Sequence, residues 1–182
     1  VFAGRHEPRK GLQVLLRAWP EIRARTGARL RLVGADPLAV RLLLSRLHVS
    51  DDGLDILGFL SQEELTRELS RTKALVAPSL GGESFGMVLT RAFACATPAV
   101  ASDIPGYRDV ITADTAVPVA PDDPGALAAA VAALLADEPR RRAMGAAARA
   151  RAVERYAWPD IALRLEAIYE GLAGAGRERA AA

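Results

Sequence analysis

The chain has 182 residues, 51% of them hydrophobic and 25% charged, which is enough for one α/β domain with a full core and too little for two domains of ordinary size. A formal charge of +2 gives no ground for nucleic-acid binding, a single cysteine excludes an internal disulfide and a cysteine-only zinc cage, and two histidines leave little for an imidazole site. No apolar run approaches the roughly 20 residues that span a bilayer, and the lone cysteine fits a reducing, cytoplasmic setting.

Short apolar runs alternate with helix-periodic segments, the pattern of βα units around a parallel sheet. Val1 to Gly4 reads as a strand running straight into a glycine turn, with no initiator methionine and no signal peptide, so the chain reads as cut from a longer one. A helix over 11–25 follows, then a strand over 29–33 ending at Gly34, a helix over 37–47 and a strand over 54–57. Next come a helix over 61–70, a strand over 74–77, a helix over 86–96 and a strand over 99–101. A turn of helix over 107–111 leads to a strand over 116–119 and three helices, over 124–136, 139–155 and 158–173. Ser61 with Glu64 forms a capping box, and Pro124 and Pro139 sit at first-turn positions. The fold class is therefore α/β, a Rossmann-like parallel sheet of about six strands with helices on both faces. The domain spans 1–173, and the Ala/Gly/Arg segment over 174–182 reads as a disordered tail.

In an open parallel sheet, ligands bind at the carboxyl ends of the strands, which directs the search to the loops after Gly4, Gly34, Leu57, Ala77 and Ala101. The first, Gly4-Arg5-His6-Glu7-Pro8-Arg9-Lys10-Gly11, places three cations before a helix start, where backbone amides favour anions. The planar fork of Arg and the point charge of Lys together suit a diphosphate, with a solvated basic loop as the alternative. Neither the G-x-G-x-x-G fingerprint nor the Walker loop is present. The loop Pro78-Ser79-Leu80-Gly81-Gly82-Glu83-Ser84-Phe85-Gly86-Met87-Val88 leads directly into a helix carrying Arg91. Its adjacent glycines allow close approach of backbone to a ligand, and the amides of residues 86–88 point at whatever sits at the helix start. From position alone, Glu83 is either a ligand group or a plain N-terminal charge on the helix dipole.

The run "PSLGGESFGMVLTRAFACATPAVASDIPG" resembles the signature of the retaining GT-B glycosyltransferases of the group 1 type, a family that includes sucrose-phosphate synthase and bacterial mannosyl- and glucosyltransferases. "GRHEPRKG" is similar to that family's first phosphate loop, and "ARLRLVG", "DILGFLSQEEL" and "RYAWPDIALRLEAIYEGL" extend the resemblance over the whole C-terminal, donor-binding domain. The G-G-E-S-F-G variant is most similar to the phosphatidylinositol mannosyltransferases of actinobacteria.

The resemblance implies that Arg5 and Lys10 neutralise the diphosphate of a nucleotide-sugar, with the amides of Met87 and Val88 on its distal phosphate. Glu83 would then accept from the sugar's hydroxyls, helped by backbone at Gly82, Ser84, Phe85 and Gly86, while the base lies against Gly58, Phe59 and Leu60. Gly4 belongs to the same phosphate loop. That loop is one residue shorter between Arg5 and Lys10 than in the mannosyltransferases, so Arg9 is expected to share the phosphate role. The resemblance further implies no metal and no cofactor, a hexose donor such as GDP-mannose or a UDP-sugar, and transfer with retention by front-face attack. A missing N-terminal domain would supply the acceptor pocket and any membrane association, and the fragment alone would transfer nothing.

One departure stands out. The family carries a second glutamate eight positions after the first, gripping the ribose hydroxyls, and this chain has Arg91 there. Arginine only donates, so it cannot accept from two hydroxyls as a carboxylate does. Either the ribose is held differently, or Arg91 simply pairs with a surface acid. The substitution also motivates an alternative function, a non-catalytic nucleotide-binding or regulatory module that kept the half-fold. Ala96 stands where a glycine normally ends this helix, a cost of about 1 kcal/mol if the position needs positive φ.

Other residues read as structural. Cys95 is expected as a small buried hydrophobe, His6 as a solvent-facing loop residue or, from its place between Arg5 and Lys10, a phosphate contact, His48 as a scaffold residue, and Asp51, Asp52, Asp55, Asp122 and Asp123 as turn and cap residues. Arg140 to Arg142, Arg149, Arg151 and Arg155 read as a solvated helix face, and Trp158 and Tyr169 as anchors of the last helix against the core or the missing domain.

Overall fold

The computed structural model describes the backbone of residues 1–180 and the side chains of residues 1–172, so the tail expected over 174–182 lies outside the residues described in full. The strands are β1 (Phe2–Ala3), β2 (Leu30–Val33), β3 (Leu54–Gly58), β4 (Leu75–Ala77), β5 (Ala99–Ser102) and β6 (Ala116–Val119). The helices are α1 (Leu12–Thr26), α2 (Pro37–Leu47), α3 (Gln62–Arg71), α4 (Met87–Ala94), α5 (Pro105–Arg108), α6 (Pro124–Ala136), α7 (Glu138–Tyr156) and α8 (Trp158–Ala180).

The six strands do not form one continuous ladder, as the sequence led us to expect. They form two parallel three-stranded sheets, β1-β2-β3 and β4-β5-β6. Phe2 lies opposite Leu32 in the first, and Leu75 opposite Ala99 in the second. The two meet at Val1, whose nitrogen donates to the Ala74 carbonyl at 2.9 Å and whose carbonyl accepts from Val76 N–H at 2.8 Å. A single residue makes this seam, too little for a ladder, yet it sets β1 directly beside β4.

Alternation along the strands sorts side chains onto two faces. Val76 and Val100 join Leu32 in a core with α1, α2 and α6, including Leu12, Leu16, Trp19 and Leu127. Leu75, Ala77, Ala99 and Ala101 face the other way, onto Leu69 of α3, Leu89 and Phe93 of α4, Tyr107 of α5 and Ala148 of α7.

The local start signals are realised. Glu64 N–H donates to Ser61 Oγ at 3.2 Å while Ser61 N–H donates to Glu64 Oε2 at 2.8 Å, and these bonds hold the Glu64 carboxyl below its usual range. Asp36, Asp123 and Asp137 cap α2, α6 and α7. Asp52 and Asp55 are taken up by ion pairs with Arg23 and Arg29.

Three expectations need correction. The short helix begins at Pro105 rather than Tyr107, because proline's fixed φ suits a first helical turn. Arg149 and Arg151 are not merely solvated: they donate to the carbonyls of Ala94 and Val110 and tie α7 to the ends of α4 and α5. Trp158 and Tyr169 do not anchor α8 on the described core, being 74% and 66% exposed.

Candidate functional site

Because β1 and β4 abut, the loops that leave them meet at the point where the strand order reverses, the usual ligand crevice of an open parallel sheet. The two loops are joined by backbone: Leu80 N–H donates to the Arg9 carbonyl at 2.8 Å. Gly11, at φ 69°, brings them together, since a Cβ there would lie 1.8 Å from the Pro78 carbonyl oxygen. No other residue fits.

Across this junction lies one charge cluster. Glu83 Oε1 sits 2.8 Å from Arg9 Nη1 and 2.7 Å from Lys10 Nζ, with the Glu83 side chain only 9% exposed. Arg9 also donates to the Gly82 carbonyl at 3.2 Å and to Glu7 Oε2 at 2.9 Å. Arg5 stays outside, 71% exposed and paired with Glu7 at 2.9 Å. The helix α4 starts beside the cluster, capped by Gly86 in the left-handed region, and the amides of Met87 and Val88 find no acceptor among the described residues. Two cations thus converge on one carboxylate beside two free amides, a set of donors that suits an anion, and the two cations are here occupied by Glu83 itself.

Beneath Glu83 lies a layer that the sequence reading missed. Ser79 Oγ, 1% exposed, lies 2.8 Å from the Tyr107 hydroxyl and 3.4 Å from Glu83 Oε1. Burial pushes the Tyr107 hydroxyl up to about 12, against the opposing effect of the Ser79 hydrogen bond, so it remains a proton donor through the physiological range. The sequence reading places Tyr107 only in a turn of helix over 107–111, and its position directly after the strand whose loop faces the crevice is the one signal that points to it.

The sequence pattern described as glycosyl transferases group 1 matches residues 1–137. The chain belongs to the group 1 glycosyl transferases. It is 38% identical to the phosphatidyl-myo-inositol mannosyltransferase of Mycolicibacterium smegmatis over 97% of its own length and 46% of that protein's. Among solved structures, the sucrose-phosphate synthase of Thermosynechococcus elongatus superposes with a TM-score of 0.83 at 32% identity, covering 96% of this chain and 45% of that one. Anabaena HepE in complex with UDP superposes with a TM-score of 0.83 at 20% identity over 93% of this chain and 48% of that one, a likeness of fold. The chain therefore spans about half the length of the relatives it matches.

The remaining family positions spread over neighbouring loops. Gly58, at φ 67°, and the 72% exposed Phe59 leave β3, two strands from the seam, while Leu60 packs on the core behind them. Gly4 closes β1 by donating to the Val33 carbonyl at 2.9 Å. Ser84 is exposed. Phe85 meets Tyr156 edge-on, ring centroids 5.5 Å apart. Arg91 is exposed on α4, in the wall of a groove of about 500 Å³ shared with Phe85, Met87, Tyr156 and Trp158. It makes no ion pair with an acid among the described residues. A second cavity, of about 250 Å³, lies at the amino ends of the strands between Trp19, Lys73 and Val131, away from this chemistry.

Proposed function

We propose that this domain binds the nucleotide-diphospho-sugar donor of a hexosyltransferase. GDP-mannose is the first candidate, in keeping with the mannosyltransferase at 38% identity, and a UDP-sugar is the second. The observation that carries the reading is the Glu83 carboxylate held at 2.8 and 2.7 Å between Arg9 and Lys10 at the start of α4. An arriving diphosphate is the better ligand for those cations, with more charge and more acceptor oxygens than one carboxylate. It takes Arg9 and Lys10, with Arg5 at the solvent edge, and sets its distal phosphate on the Met87 and Val88 amides. Glu83, released from the cations, accepts from the sugar's hydroxyls.

Charge that develops on the departing nucleoside diphosphate then falls on fixed donors, the arrangement that stabilises such a transition state. The reading assigns no metal, because Arg9, Lys10 and the amides already oppose the diphosphate charge. In keeping with the resemblance, transfer retains the anomeric configuration by front-face attack, with the departing phosphate as base. The acceptor pocket and any membrane attachment belong to another part of a longer protein.

A second reading, a nucleotide-binding module without catalysis, is favoured by Arg91, which offers no carboxylate to a ribose. Calorimetric titration with GDP, UDP and ADP separates these. We expect one nucleotide to bind, Lys10→Ala and Arg9→Ala each to weaken it at least about tenfold, about 1.4 kcal/mol, and Arg5→Ala to weaken it less. Binding of none of the three by the unaltered protein would overturn the donor-site assignment. Binding that an excess of EDTA abolishes would overturn the metal-free one.

A further inference from the structure

All the protein contacts that hold the Glu83 carboxylate converge on one of its two oxygens. Arg9 Nη1, Lys10 Nζ and Ser79 Oγ meet Oε1 at 2.8, 2.7 and 3.4 Å, and no described residue donates a hydrogen bond to Oε2. One oxygen is thus anchored and the other is left without a donor among the described residues. Of the three anchors, Arg9 and Lys10 are the groups a diphosphate recruits. Ser79 is the one that stays when the donor arrives.

The polarity of the Ser79 contact is fixed by its neighbours. An ionised carboxylate only accepts, so the Ser79 hydroxyl must donate to Glu83. Its own oxygen can then be satisfied only as an acceptor, and the group 2.8 Å away is the Tyr107 hydroxyl. Ser79 and Tyr107 are each 1% exposed, and among the described residues no side chain besides Glu83 and these two joins the pair, so water cannot easily replace a lost partner. The scaffold around Tyr107 is equally tight. A Cβ on Gly86 would lie 2.7 Å from its ring, and a Cβ on Gly106 would lie 1.7 Å from the Glu83 carbonyl oxygen, so α5 forms the floor on which the glycine loop rests.

We propose that Tyr107, acting through Ser79, is a positioning residue that keeps Glu83 Oε1 anchored once the diphosphate has taken Arg9 and Lys10, so that Oε2 faces the sugar. This deepens the donor-site reading and rests on it. Tyr107 touches neither sugar nor phosphate, and its effect is confined to how firmly Glu83 is aimed. The consequence is specific: the hydroxyl contributes to recognition of the sugar and not to recognition of the nucleoside diphosphate.

The test compares, by calorimetry, GDP with GDP-mannose and UDP with UDP-glucose on the unaltered protein, Tyr107→Phe, Ser79→Ala and the double variant. Tyr107→Phe keeps the ring under Gly86, and Ser79→Ala breaks the same relay from its other end should the first variant fold poorly. We expect each single variant to bind the nucleoside diphosphate within about twofold of the unaltered protein and the sugar-bearing donor about fivefold to tenfold more weakly, with no further loss in the double variant. Equal weakening of both ligands, or an unchanged ratio between them, would assign Tyr107 a purely structural role and overturn the proposal. If the unaltered protein binds no nucleoside diphosphate at all, the donor-site reading fails first and the relay loses its purpose. If it binds diphosphate normally and only the ratio fails to move, the relay alone is wrong.

Discussion

Ala96 follows α4 with φ 56°, a left-handed conformation in which its Cβ crowds the backbone. The close approach of Gly145, where a Cβ would lie 2.3 Å from the Ala96 carbonyl oxygen, pins the turn in place, so the chain cannot relax the strain. Ala96→Gly is therefore expected to stabilise the domain by about 1 kcal/mol and raise its melting temperature by about 2–4 °C, measured by thermal unfolding. An unchanged or lower midpoint would show that the turn carries no strain. This position was legible in the sequence only through the family resemblance, which has a glycine where this chain has Ala96; the helix itself was read as running through it, whereas α4 ends at Ala94. Glu83 was not, because its partners Arg9 and Lys10 lie more than seventy positions away in the chain, and spacing cannot tell a ligand group from a helix-dipole charge. The resemblance put Arg5 with Lys10 first and gave Arg9 a shared role, whereas in the structure Arg9 and Lys10 reach the carboxylate and Arg5 pairs with Glu7.

At the scale of elements, the site depends on two loops from opposite sides of the seam being pressed together, and Gly11 is the point of closest approach. Gly11→Ala would drive a Cβ to 1.8 Å from the Pro78 carbonyl oxygen at a residue already at φ 69°, and backbone on both sides must move to admit it. The expected result is a loss of more than about 2 kcal/mol in urea unfolding, accompanied by weaker nucleoside diphosphate binding because Arg9 and Glu83 separate. Full stability with unchanged binding would mean that the loops are not coupled here. Element identity itself was readable, since capping boxes, proline starts and apolar runs act over three or four residues. What could not be read was that α5 is the floor of the glycine loop, because nothing in "IPGYR" announces that Gly106 backs onto the Glu83 carbonyl.

At the scale of the whole molecule, the expectation of one six-stranded sheet missed how slight the join is between its two halves. One residue, Val1, bonds β1 to β4, through its nitrogen at 2.9 Å from the Ala74 carbonyl oxygen and its carbonyl oxygen at 2.8 Å from the Val76 nitrogen. The rest of the join is packing, because each core spans both sheets: Leu32 packs with Val76 and Val100 on one face, and Val33 with Leu75 and Ala77 on the other. A join that rests on shared cores rather than on a ladder cannot be read from strands taken one at a time, and it is this join that aligns the two phosphate-site loops.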